Sequence, residues 1–180
     1  MGYKVDFYRH SVGEEELESI RQTFDGLFLA LGPRVGEFEE RLADYLEIEH
    51  VVGTSSCSMS LILALRALDI GEGDEVITTP MTFASSSNAV LHVGAELVFA
   101  DIDPATGLLD PERVEEAITD KTRAIIPVHL YGQLADMRAF RRIADEHDLH
   151  LVEDAAHAVE SRRDGYRTGE LGDIATFSFY

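Results

Sequence analysis

Polar and apolar residues along this chain change rhythm near residue 50. Before that point apolar positions recur every third or fourth residue: Leu17, Ile20 and Phe24, then Val35, Phe38, Leu42, Tyr45 and Leu46. Such a stripe is the face a helix turns to a core, so residues 1–50 are expected to form an N-terminal helical segment. Ser11, followed by Glu14, Glu15 and Glu16, is the expected cap and acidic first turn of one helix, and Pro33 opens the second. From Val51 the pattern becomes strand, turn, helix, repeated. Short apolar runs at 75–78, 97–100, 124–128, 149–153 and 175–180 start about 25 residues apart, which leaves room for the helical crossover that parallel pairing requires. Asp110-Pro111-Glu112 caps and opens one crossover helix, ending near Ile118. Met137, Phe140, Ile143 and Ala144 form the buried stripe of another, and a further helix is expected over 61–68. Asp164-Gly165 predicts a tight hairpin. No Pro-rich linker, low-complexity stretch or internal repeat interrupts residues 51–180. The expected fold class is α/β, a three-layer, doubly wound, mostly parallel sheet.

Composition narrows the function classes. The chain has 180 residues, 34 of them acidic against 15 basic, for a formal charge of −19. The basic footprint that nucleic acid or an anionic membrane would need is absent. Lys4 and Lys121 are its only lysines; an acidic, arginine-rich surface fits a high-salt cytoplasm, and equally an arginine-favouring genome. No apolar run reaches membrane-spanning length, and Met1-Gly2-Tyr3-Lys4-Val5 does not open like a signal peptide. The single cysteine, Cys57, suits a reducing compartment, so a cytoplasmic location is expected.

Candidate chemistry gathers where the strands end. His150-Leu151-Val152-Glu153-Asp154-Ala155-Ala156-His157 is a buried-strand run that stops on a carboxylate and then turns away on small residues. In an open α/β sheet ligands bind in the crevice beyond the carboxyl ends of the strands. Asp154 there can hold a proton on a ring nitrogen opposite, as the carboxylate of a pyridoxal phosphate site does, or simply cap the next helix. Gly53-Thr54-Ser55-Ser56-Cys57-Ser58-Met59-Ser60 brings hydroxyls and free N–H groups to a helix N-terminus, either an anion site or a serine-rich cap. It lacks the Gly-Lys-Ser/Thr ending of a Walker loop, and no Rossmann glycine fingerprint occurs. Phe83, in Thr79-Pro80-Met81-Thr82-Phe83 after the 75–78 strand, is either an aromatic platform for a planar ring or core. Val128-His129-Leu130-Tyr131-Gly132 is expected to set polar groups on the same rim. His129 and His157 have no ligand spacing with Asp154, so no metal site is expected.

Six motifs in order carry a resemblance. They are Gly71-Glu72-Gly73-Asp74-Glu75-Val76-Ile77; Pro80 with Thr82-Phe83; Phe99-Ala100-Asp101-Ile102-Asp103; Ile126-Pro127-Val128-His129-Leu130-Tyr131-Gly132; Glu153-Asp154-Ala155-Ala156-His157; and Phe177-Ser178-Phe179-Tyr180. With Gly32-Pro33 and Glu37-Phe38-Glu39-Glu40 they resemble the DegT/DnrJ/EryC1/StrS family, the pyridoxal-phosphate sugar aminotransferases of fold type I. The resemblance implies pyridoxal 5'-phosphate (PLP) as cofactor, with residues 51–180 as the PLP-binding portion of the large domain. It implies Asp154 on the pyridinium nitrogen, His157 near the ring's phenolic oxygen and Phe83 on the ring face. Cys57, Ser58 and Ser178 would hold the phosphate. Cys57 departs from the family's Ser-Gly-Thr turn, and its side chain is expected to crowd the phosphate or change the turn.

No catalytic residue is expected within the chain. In the family the Schiff-base lysine follows the Phe-Ser-Phe strand by a few residues, which places it just beyond Tyr180. The family's last sheet strand and small C-terminal domain would follow it, so the sheet is expected to be incomplete at its C-terminal side. Lys121 precedes a strand and belongs to the opposite sheet edge, roughly 20 Å away for a six-residue strand. The implied function is amino transfer, with glutamate as donor, to a nucleotide-linked keto sugar for polysaccharide, cell-surface or amino-sugar biosynthesis. A homodimer is expected, since the family's sites are shared between subunits, and the 180 residues alone are expected to be inactive. The alternatives are a PLP-dependent sugar dehydratase, with histidine in place of the lysine, and a non-catalytic remnant that binds or regulates. Which sugar, nucleotide carrier and donor are used lies beyond this sequence.

Overall fold

A computed structural model describes residues 10–30 and 32–179. Lys4 and Tyr180, both weighed above, lie outside the described residues. The chain divides into two compact units, one up to Gly53 and one from Thr54 onward.

The first unit holds two helices, α1 (Glu14–Phe24) and α2 (Pro33–Leu46). The cap of α1 is Gly13 and not Ser11. Glu16 reaches back so that its carboxylate accepts the Gly13 N–H at 2.6 Å, which satisfies an N-terminal donor without any side chain at the cap. Pro33 takes the first turn of α2, where a missing N–H costs nothing.

The second unit is a three-layer sandwich. Its helices are α3 (Cys57–Ala67), α4 (Ala84–Val93), α5 (Pro111–Ala117) and α6 (Met137–His147), with a 3-10 turn at Leu130–Gly132. Strands β1 (Glu75–Thr78), β2 (Glu96–Phe99), β3 (Thr122–Ile126), β4 (His150–Asp154) and β7 (Ile174–Thr176) form one sheet in the order β2-β1-β3-β4-β7. All four neighbouring pairs are parallel. A separate antiparallel hairpin, β5 (Arg162–Arg163) with β6 (Tyr166–Arg167), turns on Asp164 and Gly165. Both turn residues have positive φ, 46° and 85°, the handedness that joins twisted strands most easily.

Successive strand residues face opposite layers. Ile77, Ile125 and Leu151 pack under Val114 of α5 and under Met137, Phe140, Ile143 and Ala144 of α6. Val76, Ala124, Ile126 and Val152 pack under Leu61, Ala64 and Leu65 of α3 and under Ala89, Val90 and Val93 of α4. The chain leaves β1 for β2 on one side and returns to β3 on the other, so the strand order reverses at β1. That reversal opens a crevice at the carboxyl ends, flanked by the segments after β1 and β3.

Two boundaries differ from the sequence pattern. The expected 175–180 strand spans only Ile174–Thr176, because its neighbour β4 ends at Asp154, which pairs with Thr176. Ser178 therefore lies past the strand. The helix expected at 61–68 starts at Cys57, where Ser56 caps it by accepting the Met59 N–H at 3.2 Å.

Candidate active site

Asp154 ends β4 and is buried, 4% exposed. Its main chain ties it to the β3 exit on both sides: its N–H donates to Pro127 O at 2.9 Å and its carbonyl accepts from His129 N at 3.0 Å. One carboxylate oxygen, Oδ2, accepts a 2.6 Å hydrogen bond from Ser86 Oγ of α4. The other, Oδ1, receives the Ala156 N–H at 3.3 Å. That local bond closes a turn and caps no regular helix, since none begins among the residues directly after it. Asp154 thus keeps acceptor capacity at the carboxyl edge.

The N-terminus of α3 lies at the same edge. The Cys57 thiol reaches Thr176 Oγ1 at 3.6 Å, and Thr176 pairs in register with Asp154. Cys57 and Ser58 are the first two helical residues, so their N–H groups have no acceptor inside the helix. Thr54 Oγ1 and Ser60 Oγ share a 2.6 Å bond beside them. The thiol turns toward the sheet, and Cys57 has an ordinary negative φ, so its side chain needs no glycine conformation. On the expected change of turn, the backbone at Cys57 is that of an ordinary first helical residue. Burial pushes the Cys57 thiol pKa up, the nearby Asp154 charge adds to this, and the Thr176 hydroxyl opposes it.

The remaining sequence candidates divide. Phe83 caps α4 just beyond β1 and is 77% exposed, so it is not core. His157 is exposed; its Nδ1 accepts the Tyr131 N–H at 3.2 Å and its ring stacks on Tyr131 with centroids 5.8 Å apart. Ser178 is partly buried two residues past β7. Asp154, Phe83, Cys57, Ser58 and Ser178 thus all lie at the carboxyl edge, and Lys121 lies at the amino end of β3, where its carbonyl accepts from Glu75 N. His129 does not join the rim. It is 0% exposed, with Nε2 at 2.8 Å from Glu153 Oε2 and Nδ1 accepting the Ala135 N–H at 3.2 Å. An accepting Nδ1 leaves the ring proton on Nε2, which donates it to Glu153.

Ser86 and the Glu153–His129 pair escape a linear inspection of the sequence. Ser86 and Asp154 are 68 residues apart, and only the sheet order brings them together. The signal available was a three-serine run beginning a helix whose buried face is otherwise apolar. Elsewhere, a concavity of about 430 Å³ along α6 is lined by Arg138, Arg141, Arg142, Asp145, Glu146 and Leu171, and contains none of these residues. Among the described residues Glu115, Glu146 and His147 come close enough to share an ion, but all three are exposed and none belongs to the carboxyl edge.

The model of the DegT/DnrJ/EryC1/StrS aminotransferase family matches residues 10–180. The chain belongs to this family. It is 44% identical over 169 residues to the spore coat polysaccharide biosynthesis protein SpsC of Bacillus subtilis, covering 94% of this chain and 43% of SpsC. It is 44% identical to GDP-perosamine synthase of Caulobacter vibrioides, covering 84% and 41%. Among solved structures it matches S. venezuelae DesV in complex with a ketimine intermediate, with TM-score 0.89, 46% identity and coverage of 93% and 45%. It also matches the PLP form of the putative sugar aminotransferase Spr1654 of Streptococcus pneumoniae, with TM-score 0.94, 33% identity and coverage of 99% and 49%. The chain spans less than half the length of these family members.

Aminotransferases of this family use PLP, and Spr1654 was solved in both its PLP and pyridoxamine phosphate forms. The donor set here fits that group. A carboxylate with spare acceptor capacity suits a protonated ring nitrogen, and a helix N-terminus with unclaimed N–H groups suits a phosphate. Both occur at one edge of one sheet, with no lysine or arginine needed at the anion end.

Proposed function

We propose that the protein containing this chain is a PLP-dependent aminotransferase that loads an amino group onto a nucleotide-linked keto sugar, taking it from glutamate. The observation that carries this reading is the meeting of Asp154 and the α3 N-terminus at the carboxyl edge. A nucleotide-linked sugar is supported by the names of relatives such as GDP-perosamine synthase, and a role in polysaccharide or amino-sugar biosynthesis by SpsC. The single cysteine accords with a cytoplasmic enzyme, and membership of the family supports a homodimer, the assembly that the resemblance implies.

Bound PLP supplies an electron sink for cleaving a bond beside the amino group. The chain's own residues do the rest. Asp154 holds the proton on the ring nitrogen. The Cys57 and Ser58 N–H groups and the Ser178 hydroxyl hold the phosphate, aided by the α3 dipole. Phe83 would offer its exposed ring as a platform for the cofactor, and His157, whose Nδ1 accepts from Tyr131, would have Nε2 left to donate to it. Lys121, the sole lysine among the described residues, lies at the other edge of the sheet and is not the cofactor's anchor; the family resemblance places an anchoring lysine after the Phe177-Ser178-Phe179 segment.

The test uses the full-length protein, mixed with PLP and glutamate, with conversion to the pyridoxamine form followed by absorbance. Wild type should convert, and Asp154→Asn should slow the half-reaction by about 100-fold or more, equivalent to losing about 3 kcal/mol of transition-state stabilisation. Residues 1–180 alone should give no turnover. Full-length protein that binds no PLP, or converts equally well with Asn at 154, would overturn the reading.

A further inference from the structure

The buried face of α4 is Ser86, Ala89, Val90 and Val93, a stripe at helical spacing in which Ser86 is the polar exception. A hydroxyl that is 0% exposed must find a partner or lose the water it left. Three oxygens are in reach of Ser86 Oγ: Asp154 Oδ2 at 2.6 Å, Thr82 Oγ1 at 2.8 Å and Phe83 O at 3.3 Å. The hydroxyl has one proton to give. The carboxylate is the nearest acceptor and the strongest, so the proton goes to Asp154. Thr82, in the turn just before α4, then donates its own proton to Ser86 Oγ. The result is a directional chain, Thr82 to Ser86 to Asp154, in which each bond polarises the next.

We propose that Ser86 is a positioning residue for the reaction and Thr82 its support. The inference rests on the reading of Asp154 as the partner of the ring nitrogen. By claiming Oδ2, Ser86 fixes the Asp154 rotamer and leaves Oδ1, with only the 3.3 Å Ala156 N–H, as the oxygen that meets the ring. Neither Ser86 nor Thr82 touches the reacting atoms. Their effect passes entirely through the carboxylate, and it distinguishes α4 from a helix that merely covers the sheet. An alanine at 86 would continue the apolar stripe without crowding it, which makes the hydroxyl separable from the packing.

The experiment compares Ser86→Ala, Ser86→Thr, Thr82→Val and wild type in full-length protein. PLP labelled with 15N at the ring nitrogen is bound, and its NMR shift reports how fully that nitrogen is protonated. Ser86→Ala should move the shift toward the unprotonated position, while the rate of the glutamate half-reaction falls about 10- to 100-fold with the KM for glutamate changed less than about 2-fold. Ser86→Thr should restore both signals, and Thr82→Val should show a smaller change of the same sign. A residue that only packs would leave the 15N shift in place. Should Ser86→Ala prove unstable, Thr82→Val carries the test, because it leaves Ser86 in position. An unchanged shift in every folded variant that binds PLP overturns the proposal. Wild-type protein that binds no PLP defeats the parent reading instead, so the two failures are distinguishable.

Discussion

Glu153 and Asp154 are adjacent carboxylates on one strand, and they meet opposite environments. Glu153 faces the α5/α6 layer and is closed in. His129 Nε2 donates to it at 2.8 Å, Gly169 N at 3.0 Å and Gly172 N at 2.7 Å. Asp154 faces the α3/α4 layer and receives one hydroxyl and one long backbone N–H. The first carboxylate has its acceptors taken by fixed donors, which staple the β3 exit and the loop before β7 to β4. The second is held by one firm bond and otherwise left with capacity to spare. Buried polar groups are normally satisfied, so a carboxylate with one firm bond beside one held by three donors separates the group built for a ligand from the group built for the fold.

The sharpest way to break this comparison is to remove each charge in turn. In the full-length protein Asp154→Asn is expected to abolish most turnover while leaving the melting temperature nearly unchanged. Glu153→Gln should do the reverse. Its amide N–H group would be set against one of three N–H donors with no acceptor to offer, at a cost of about 3 kcal/mol. For a full-length protein about twice this size that is a fall of roughly 3 to 6 °C, read by calorimetry. Equal melting temperatures for the two variants would show that the faces do not differ as described.

A smaller effect tests the same staple from the other partner. A Cβ on Gly172 would lie 2.7 Å from Glu153 Oε1 and 2.8 Å from its Cγ. Glu153 cannot swing aside, because the Gly169 N–H and His129 hold its other oxygen. Gly172→Ala is therefore expected to cost about 1 to 3 kcal/mol, measured by denaturant unfolding. A neutral substitution would mean that the loop moves freely and that Glu153 does not hold it.

Much of this was legible in the sequence, and the failures have physical causes. The strand spacing marked four of the five parallel strands to within two residues, because alternation between two buried faces leaves nearly continuous apolar runs. The last strand is shorter than its pattern because Phe177-Ser178-Phe179 continues the alternation although β4 offers nothing beyond Asp154 to pair with. Helix α3 begins before its apolar pattern does, because its first turn is all hydroxyl and sulfur. Ser11 has the side chain of a cap, yet Glu16 supplies the bond from the other direction. The carboxyl-edge residues could be grouped from their places after strands. What they touch could not be read: Glu153 and His129 are 24 residues apart, and their pairing depends on β3 lying next to β4.

The smallest expected effect lies at Cys57, on the Asp154 face, and it reports the two carboxylates separately. Burial chiefly raises the thiol pKa, Asp154 raises it further, and the Thr176 hydroxyl lowers it. A raised value in the folded state means the protonated thiol is favoured there. The associated stability is complete below the ordinary thiol range and is lost as pH rises through the folded-state value. Alkylation by iodoacetamide, which requires the thiolate, should therefore rise at higher pH in folded protein than in the same chain unfolded in urea. Asp154→Asn removes one raising influence, so its alkylation profile should move toward lower pH. Thr176→Val removes the lowering influence and should move it the other way. Glu153→Gln, on the opposite face of the sheet, should leave the profile of the folded protein in place. A thiol that reacts as readily when folded as when unfolded, or that responds to Glu153 as much as to Asp154, would mean that strand β4 does not keep its two carboxylates apart.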